Sequence, residues 1–325
     1  MTPSAQHLLL ADSGGTNVRF AWADTPTSEI QDVHQYACAD FPTLAEAIDH
    51  YASKCRVQRF ESAALSIATA VAGDRVGMTN HHWSFSQVGL RSRFAWKRLV
   101  VLNDFTALAL SLPTLRNGDR MQLGEGRVAQ PDQPIALLGA GTGLGMSGLL
   151  PYARQRWVPI SGEGGHATLS PNSDLECEIV QILRREFGHV SAERALSGPG
   201  LVNLYRAACA MNRLQTEALT PADVLSKGQT GMNETCVTAV DLFCSFLAGT
   251  AGNLALSLGA RAGVYIGGGI APRLLDRLQR PNFREAFERK GRFGEYLRDI
   301  PVWVITTPES PALRGAALAL IPPHE

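Results

Sequence analysis

Lysine is scarce in this 325-residue chain. It stands only at positions 54, 97, 227 and 290, and arginine supplies the rest of the 30 basic residues. A matching 30 acids bring the formal net charge to zero, and no basic run stands out. That balance argues against a polyanion such as nucleic acid as partner. The six cysteines (38, 55, 177, 209, 236 and 244) show no C-x-x-C spacing. They read as reduced cytosolic thiols, most of them in or near a core. No apolar run approaches 18 residues without interruption, so no membrane span is expected. Met1–Gln6 has no basic region ahead of an apolar one and does not read as a signal peptide. What remains is ordinary globular composition, 45% hydrophobic and 18% charged, with 31 glycines. The length suggests two domains of about 150 residues each.

The glycines cluster. In Leu8–Asp24 (LLLADSGGTNVRFAWAD) two strand-like runs flank a Gly-Gly turn, which reads as a β-hairpin. Successive N–H groups in such a turn form a nest for an anion, but Asp12 at the end of the first strand would repel a bare phosphate. A divalent cation between them resolves the conflict. Asp12 therefore reads as a Mg²⁺ ligand, directly or through water, and Gly14–Thr16 as a phosphate clip. A plain hairpin with turn-forming residues is the alternative for this stretch taken by itself. No lysine lies in any of the motifs, so a bound phosphate would rely on metal, backbone N–H groups and arginine.

Further along, strands are expected at Ile30–Ala37, Ser62–Val71 and Leu99–Leu102, and helices at Phe41–Arg56, Gln87–Phe94 (capped by Ser86) and Phe105–Leu112. Both hairpin and βαβ signals are present, which points to a mixed sheet with helices. The opening pattern then returns. Ile135–Leu138 runs into Gly139-Ala140-Gly141-Thr142-Gly143-Leu144-Gly145, and Met146–Leu150 leaves it. A repeated glycine hairpin predicts a second domain built like the first. Helices follow at Leu175–Phe187, after Ser191 as a cap, at Leu201–Ala210, and over the long apolar Glu234–Leu258. Gly263–Ile266 is a strand leading into Gly267-Gly268-Gly269 and a helix. Arg284–Arg298 reads as a solvated charged face. Pro301–Ile305 is a last strand, and Leu313–Ile321 a terminal helix able to pack back on the first domain. The boundaries expected are 1–112 plus about 302–325 for the smaller domain and 113–301 for the larger.

Four sites call for a joint explanation. Two phosphate hairpins make a nucleotide cleft, and a strand–GGG–helix junction suits adenosine. Asp104 follows a strand and opens a helix, a common place for site residues, and can accept a proton from a hydroxyl. Asn103, Glu163, His166 and Glu193 offer several donors and acceptors, which suits a sugar. Two of them have a plainer alternative: His166 as a structural loop residue, Glu193 as an exposed helix residue. His81 and His82 read as loop residues.

The segments ADSGGTN, MTNHHWSFS, LNDFTALA, GAGTGLG, SGEGGHATLSPNS, GHVSAERALSGPGLVNLYRA, IGGGIAPR and FREAFERKGRF, spread from Asp12 to Phe293, resemble those of the bacterial glucokinases of the hexokinase–actin superfamily, distinct from the ROK type. The resemblance implies an α/β, two-domain actin-like (ribonuclease H-like) fold, each domain a mixed sheet with flanking helices and a cleft between them. It implies ATP- and Mg²⁺-dependent phosphorylation of the glucose 6-hydroxyl by a cytoplasmic homodimer with no membrane partner. In its terms Asp104 is the base, and Asn103, Asp104, Glu163, His166 and Glu193 bind glucose. The nucleotide would lie on Ala11, Asp12, Ser13, Gly14, Gly15 and Thr16, on Gly141, Thr142 and Gly143, and on Gly268 and Gly269. The ROK cysteine cluster C-x-C-G-x-x-G-C is missing, so zinc is not expected. Relatives commonly carry Pro near 68–71, where this chain reads Ala68-Thr69-Ala70-Val71. That departure touches sugar selectivity. Two alternatives stay open: a kinase for another hexose, or an inactive sugar sensor or regulator on the same fold. A regulator would need a helix-turn-helix, and only about ten residues precede the first strand.

Overall fold

A computed structural model of the chain describes residues 7–57, 59–78, 81–124, 127–152, 156–307 and 311–321. Thr79 and Asn80 of the MTNHHWSFS segment lie outside the described residues. The chain divides into two compact units, Met1–Leu115 with Thr307–Glu325, and Arg116–Thr306.

The first unit carries β1 (Leu8–Ser13), β2 (Asn17–Ala23), β3 (Gln31–Ala37), α1 (Leu44–Lys54), β4 (Ser62–Ile67), β5 (Arg75–Gly77), β6 (Ser84–Ser86), α2 (Gln87–Arg93), β7 (Arg98–Asn103) and α3 (Asp104–Ser111). Its five-stranded sheet has the order β3-β2-β1-β4-β7. β1 pairs antiparallel with β2 and parallel with β4, and β4 pairs parallel with β7. Strand β1 is apolar at successive positions because both its faces are covered. Leu9 and Ala11 join a core with Phe20 and Tyr51, whose rings stack at 5.4 Å. Leu8 and Leu10 join another with Leu313 and Ala316 of the C-terminal helix, Ala312–Leu318. That helix also lies against α3 so closely that a Cβ on Gly315 would sit 1.6 Å from the Ala107 carbonyl oxygen. Helix α1 begins later than its periodicity suggests, because Thr43 caps it by accepting the N–H of Glu46.

The second unit carries β8 (Arg120–Gln122), β9 (Ile135–Ala140), β10 (Leu144–Tyr152), β11 (Arg156–Gly162), α4 (Asp174–Phe187), α5 (Gly198–Met211), α6 (Pro221–Thr230), α7 (Glu234–Leu258), β12 (Gly263–Gly267), α8 (Leu275–Leu278), α9 (Pro281–Glu288), α10 (Gly294–Arg298) and β13 (Val302–Ile305). The C-terminal helix of the first unit is then α11. The second sheet runs β11-β10-β9-β12-β13-β8. Its first five strands repeat the first sheet: an antiparallel meander, then parallel neighbours. Helix α7 is long and apolar enough to cross a membrane, but 67% of its most apolar window is buried, and it packs against α5, α6 and α9 as a core helix.

Three expectations are corrected. The return to the first unit falls at 307 and not near 302, because β13 is hydrogen-bonded between β12 and β8. Ser191 precedes a 3-10 turn without a side-chain cap. Arg284–Arg298 is not simply a solvated face. Arg284 is buried; it donates to the carbonyls of Leu297, Arg298 and Ile300 and pairs with Glu288. Its guanidinium closes the ends of a chain reversal, which is why a charge can stand in the core there.

Five of the six cysteines are buried and Cys177 is exposed. Burial pushes the Cys244 thiol up to about 12 and raises those of Cys38, Cys55 and Cys236. A thiol reagent at neutral pH should label Cys177 in the folded chain and the others only after denaturation. Rapid labelling of more than one site in the native protein would contradict this burial.

Candidate functional site

In the first unit, register decides which side chains meet. Asp12 lies opposite Arg19 on β2 and beside Ser66 on β4. The Ser66 hydroxyl donates to Asp12 Oδ1 at 3.1 Å, and Arg19 Nη1 stands 3.5 Å from Oδ2. Ser13, Ile67 and Asn103 end their strands level with one another. At a strand spacing of about 4.8 Å, β1 and β7 run about 10 Å apart, with Asp12 one residue before the end of β1 and Asp104 one residue past the end of β7.

Asn103 caps α3: its Oδ1 accepts the N–H groups of Phe105 and Thr106, and its Nδ2 donates to the Thr69 carbonyl at 3.3 Å. Asp104 is the first residue of α3, half-buried, with Oδ1 accepting the Phe105 N–H at 2.9 Å. The loop at 68–71 is tied in from both sides, since Ala68 N–H donates to the Ser13 carbonyl. The loop is therefore joined to Asn103 through Thr69.

In the second unit the two glycine turns are neighbours, because Gly139 pairs with Gly267. A Cβ on Gly139 would come 2.6 Å from the Gly267 carbonyl carbon, and Gly268, at φ +82°, packs on the Ala140 carbonyl. Only glycine permits that contact. Around Leu144 the sugar candidates converge. Its N–H donates to Glu193 Oε2 at 2.9 Å, and its carbonyl lies against Gly165, where a Cβ would overlap it. His166 Nδ1 stands 4.0 Å from Glu193 Oε1, and His166 N–H donates to the Glu163 carbonyl at 3.0 Å. Glu163 and His166 are exposed, whereas the Glu193 side chain is only 33% accessible. Glu193 is thus held in place.

Both hairpins spend the N–H of their first turn glycine internally: Gly14 on Asn17 O and Gly141 on Gly143 O. That N–H is therefore engaged within each turn. Ala11 is buried in β1, and the Ser13 hydroxyl turns inward to the Gly14 carbonyl and Met78 sulfur, so both side chains support the hairpin. Arg19 and Ser66 were not legible as site residues. Counting positions across the β1–β2 turn is the signal that finds Arg19; Ser66 has none within its own strand.

No cluster of three or more His, Cys, Asp or Glu able to hold a metal occurs among the described residues. One carboxylate, Asp12, beside a phosphate turn still suits Mg²⁺, which keeps several waters and is bound through one or two carboxylates plus substrate phosphates.

A family model described as Glucokinase matches residues 9–322. The glucokinase of Chromobacterium violaceum is 46% identical over 318 residues, which is 98% of this chain and 90% of that protein. A bifunctional protein of Paraburkholderia xenovorans is 44% identical over 96% of this chain, but the chain spans only 48% of its length. The crystal structure of a glucokinase from an Antarctic psychrotroph superposes with a TM-score of 0.89 at 36% identity, covering 97% of this chain and 98% of that one.

Proposed function

The chain belongs to the Glucokinase family, and from that membership we propose that it transfers the γ-phosphoryl group of ATP to the 6-hydroxyl of D-glucose, with Asp104 accepting the hydroxyl proton. The observation that supports this reading is that Asp12 and Asp104 stand at the C-terminal ends of two parallel strands, β1 and β7, two apart in one sheet. Strand ends about 10 Å apart leave room for a sugar hydroxyl beside one carboxylate and a phosphoryl group beside the other. Glu163, His166 and Glu193 bind the sugar hydroxyls, and Asn103 presents Asp104 by capping α3. Gly15–Thr16 and Thr142–Gly143 hold phosphates through backbone N–H groups, and Gly268–Gly269 approaches the nucleoside. Asp12, steadied by Ser66 and balanced by Arg19, would hold Mg²⁺ through water; when bound, that ion neutralises charge on the β- and γ-phosphates. The same membership supports a cytoplasmic homodimer.

Preference among hexoses is tested by ADP release across a sugar panel. Glucose should show the highest kcat/KM. Because Thr69 touches Asn103 in the loop that departs from the family pattern, another hexose is the second reading, and a higher kcat/KM for mannose or fructose would establish it. Sugar binding without ADP release would instead show an inactive sensor.

A further inference from the structure

We propose that Glu176 is a positioning residue for the sugar-binding loop, acting through the backbone of Asn172 and the hydroxyl of Ser245. This rests on the reading that Glu163, His166 and Glu193 bind the sugar.

Glu176 is the third residue of α4, whose N-cap is Ser173. In an ordinary capping box that residue reaches back to the N-cap N–H and stays at the surface. Here Oε2 accepts the N–H of Asn172, one residue further back, at 2.5 Å. Oε1 accepts the hydroxyl of Ser245, on α7, at 2.5 Å. The side chain is only 1% exposed. A carboxylate that deep costs several kcal/mol unless it is paired and fully bonded, which a mere helix cap does not require. Burial pushes half-buried Lys290 below the usual lysine range, and the Glu176 charge acts on it in the opposite sense. The arrangement therefore ties three elements together: the loop before α4, the start of α4, and the middle of the core helix.

The loop it holds is the one that carries the sugar candidates. From His166 the chain runs Ala167-Thr168-Leu169-Ser170-Pro171 to Asn172. Ala167 O accepts the Ala192 N–H, Thr168 bridges Ser191, and Leu169 N–H donates to Val190 O. This short pairing sets His166 beside Glu193. Asn172 lies three residues beyond the last paired residue, Leu169, so its anchor to Glu176 tethers the exit of the run to α4. Loss of the anchor lets Ala167–Asn172 slide against Val190–Ala192 and moves His166 and Glu163 away from Glu193. Neither Glu176 nor Ser245 touches the sugar in this scheme, so the effect falls on glucose binding and spares the phosphoryl-transfer step.

The test compares the full chain with Glu176→Leu, Glu176→Gln and Ser245→Ala. Glutamine keeps an acceptor for Asn172 and a donor for the Ser245 oxygen, which can reverse its role. The readouts are kcat, KM for glucose and for ATP, glucose affinity by calorimetry without nucleotide, and Tm. Removing a bond to a buried charge corresponds to about tenfold in an equilibrium constant. Glu176→Leu should raise the glucose KM and dissociation constant by about tenfold or more, with kcat and the ATP KM changed less than about threefold. Glu176→Gln should restore glucose affinity to within about threefold of wild type. A Leu variant with a lower Tm but unchanged glucose affinity shows a structural role and overturns the proposal, as does failure of Gln to rescue. Should Leu not fold, Ser245→Ala decides: a rise of about threefold in glucose KM supports the proposal, and an unchanged KM overturns it. A wild-type chain that does not phosphorylate glucose at all defeats the underlying reading before any variant is compared.

Discussion

Replacing Asp104 by asparagine is expected to lower kcat by about 10²- to 10⁴-fold, the usual range for a lost general base, while glucose affinity changes far less. The 6-hydroxyl is a poor nucleophile, and its proton must leave as the bond to phosphorus forms. Asparagine keeps the size, and its Oδ1 can still accept the Phe105 N–H that Asp104 Oδ1 accepts at 2.9 Å. The start of α3, and with it the Asn103 cap, is thereby retained. What is lost is a negative charge at a helix N-terminus, where aligned N–H dipoles favour it, and the capacity to take a proton. Phosphoryl transfer depends chiefly on positioning and electrostatics, so proton transfer is expected late and the role largely one of orienting the hydroxyl. The check is a kcat measurement at saturating glucose and ATP beside a direct glucose-binding titration. Weakened glucose binding with near-normal kcat would make Asp104 a sugar ligand, and the base would then be sought among Glu163 and Glu193.

Replacing Asp12 by asparagine should reduce turnover by about 10²-fold, as loss of a charge that stabilises the transition state commonly does. It should also raise the Mg²⁺ concentration needed for half-maximal rate. The asparagine Oδ1 still receives the Ser66 hydroxyl, now bonded at 3.1 Å, so the strand edge is unchanged. The Arg19 guanidinium, 3.5 Å from the carboxylate in the native chain, then loses that counter-ion and, in the proposed site, would stand near the phosphates. It is free to pair with them in a geometry that competes with the productive one. Glucose affinity is expected to change far less than turnover. Rates followed against free Mg²⁺, with a calorimetric glucose titration on the same preparation, separate the two effects. A variant with normal turnover and an unchanged Mg²⁺ requirement would remove Asp12 from the metal site.

Local patterns were legible in the sequence wherever the deciding interaction is itself local. The β1–β2 and β9–β10 hairpins follow from glycine turns between apolar runs. Helix α7 spans Glu234–Leu258 as its apolar periodicity and the Asn233 cap dictate. The start of α3 follows from a side-chain cap within three residues. Asp104, Glu163, His166 and Glu193, the residues of the proposed site, were singled out from motifs alone, because chemistry is written in residue types.

Tertiary structure alone decided what pairing between distant segments controls. Nothing in Ser62–Val71 says that its sixth residue ends the strand or that Ser66 meets Asp12; parallel register with β1 does. Nothing within GAGTG or GGG says that the two turns touch; the pairing of Gly139 with Gly267 does. Val302–Ile305 reads as a strand in isolation, but which unit owns it depends on its neighbours β12 and β8. Arg284 and Glu176 look like surface charges because charge normally stays in water. They are buried because each meets partners from elsewhere in the chain: for Arg284 the carbonyls of Leu297, Arg298 and Ile300, for Glu176 the Ser245 hydroxyl on α7. Periodicity and caps act over a few residues and are written in the order of the chain. Strand register and buried polar partners join residues tens to hundreds of positions apart, and only the packed fold brings them within bonding distance.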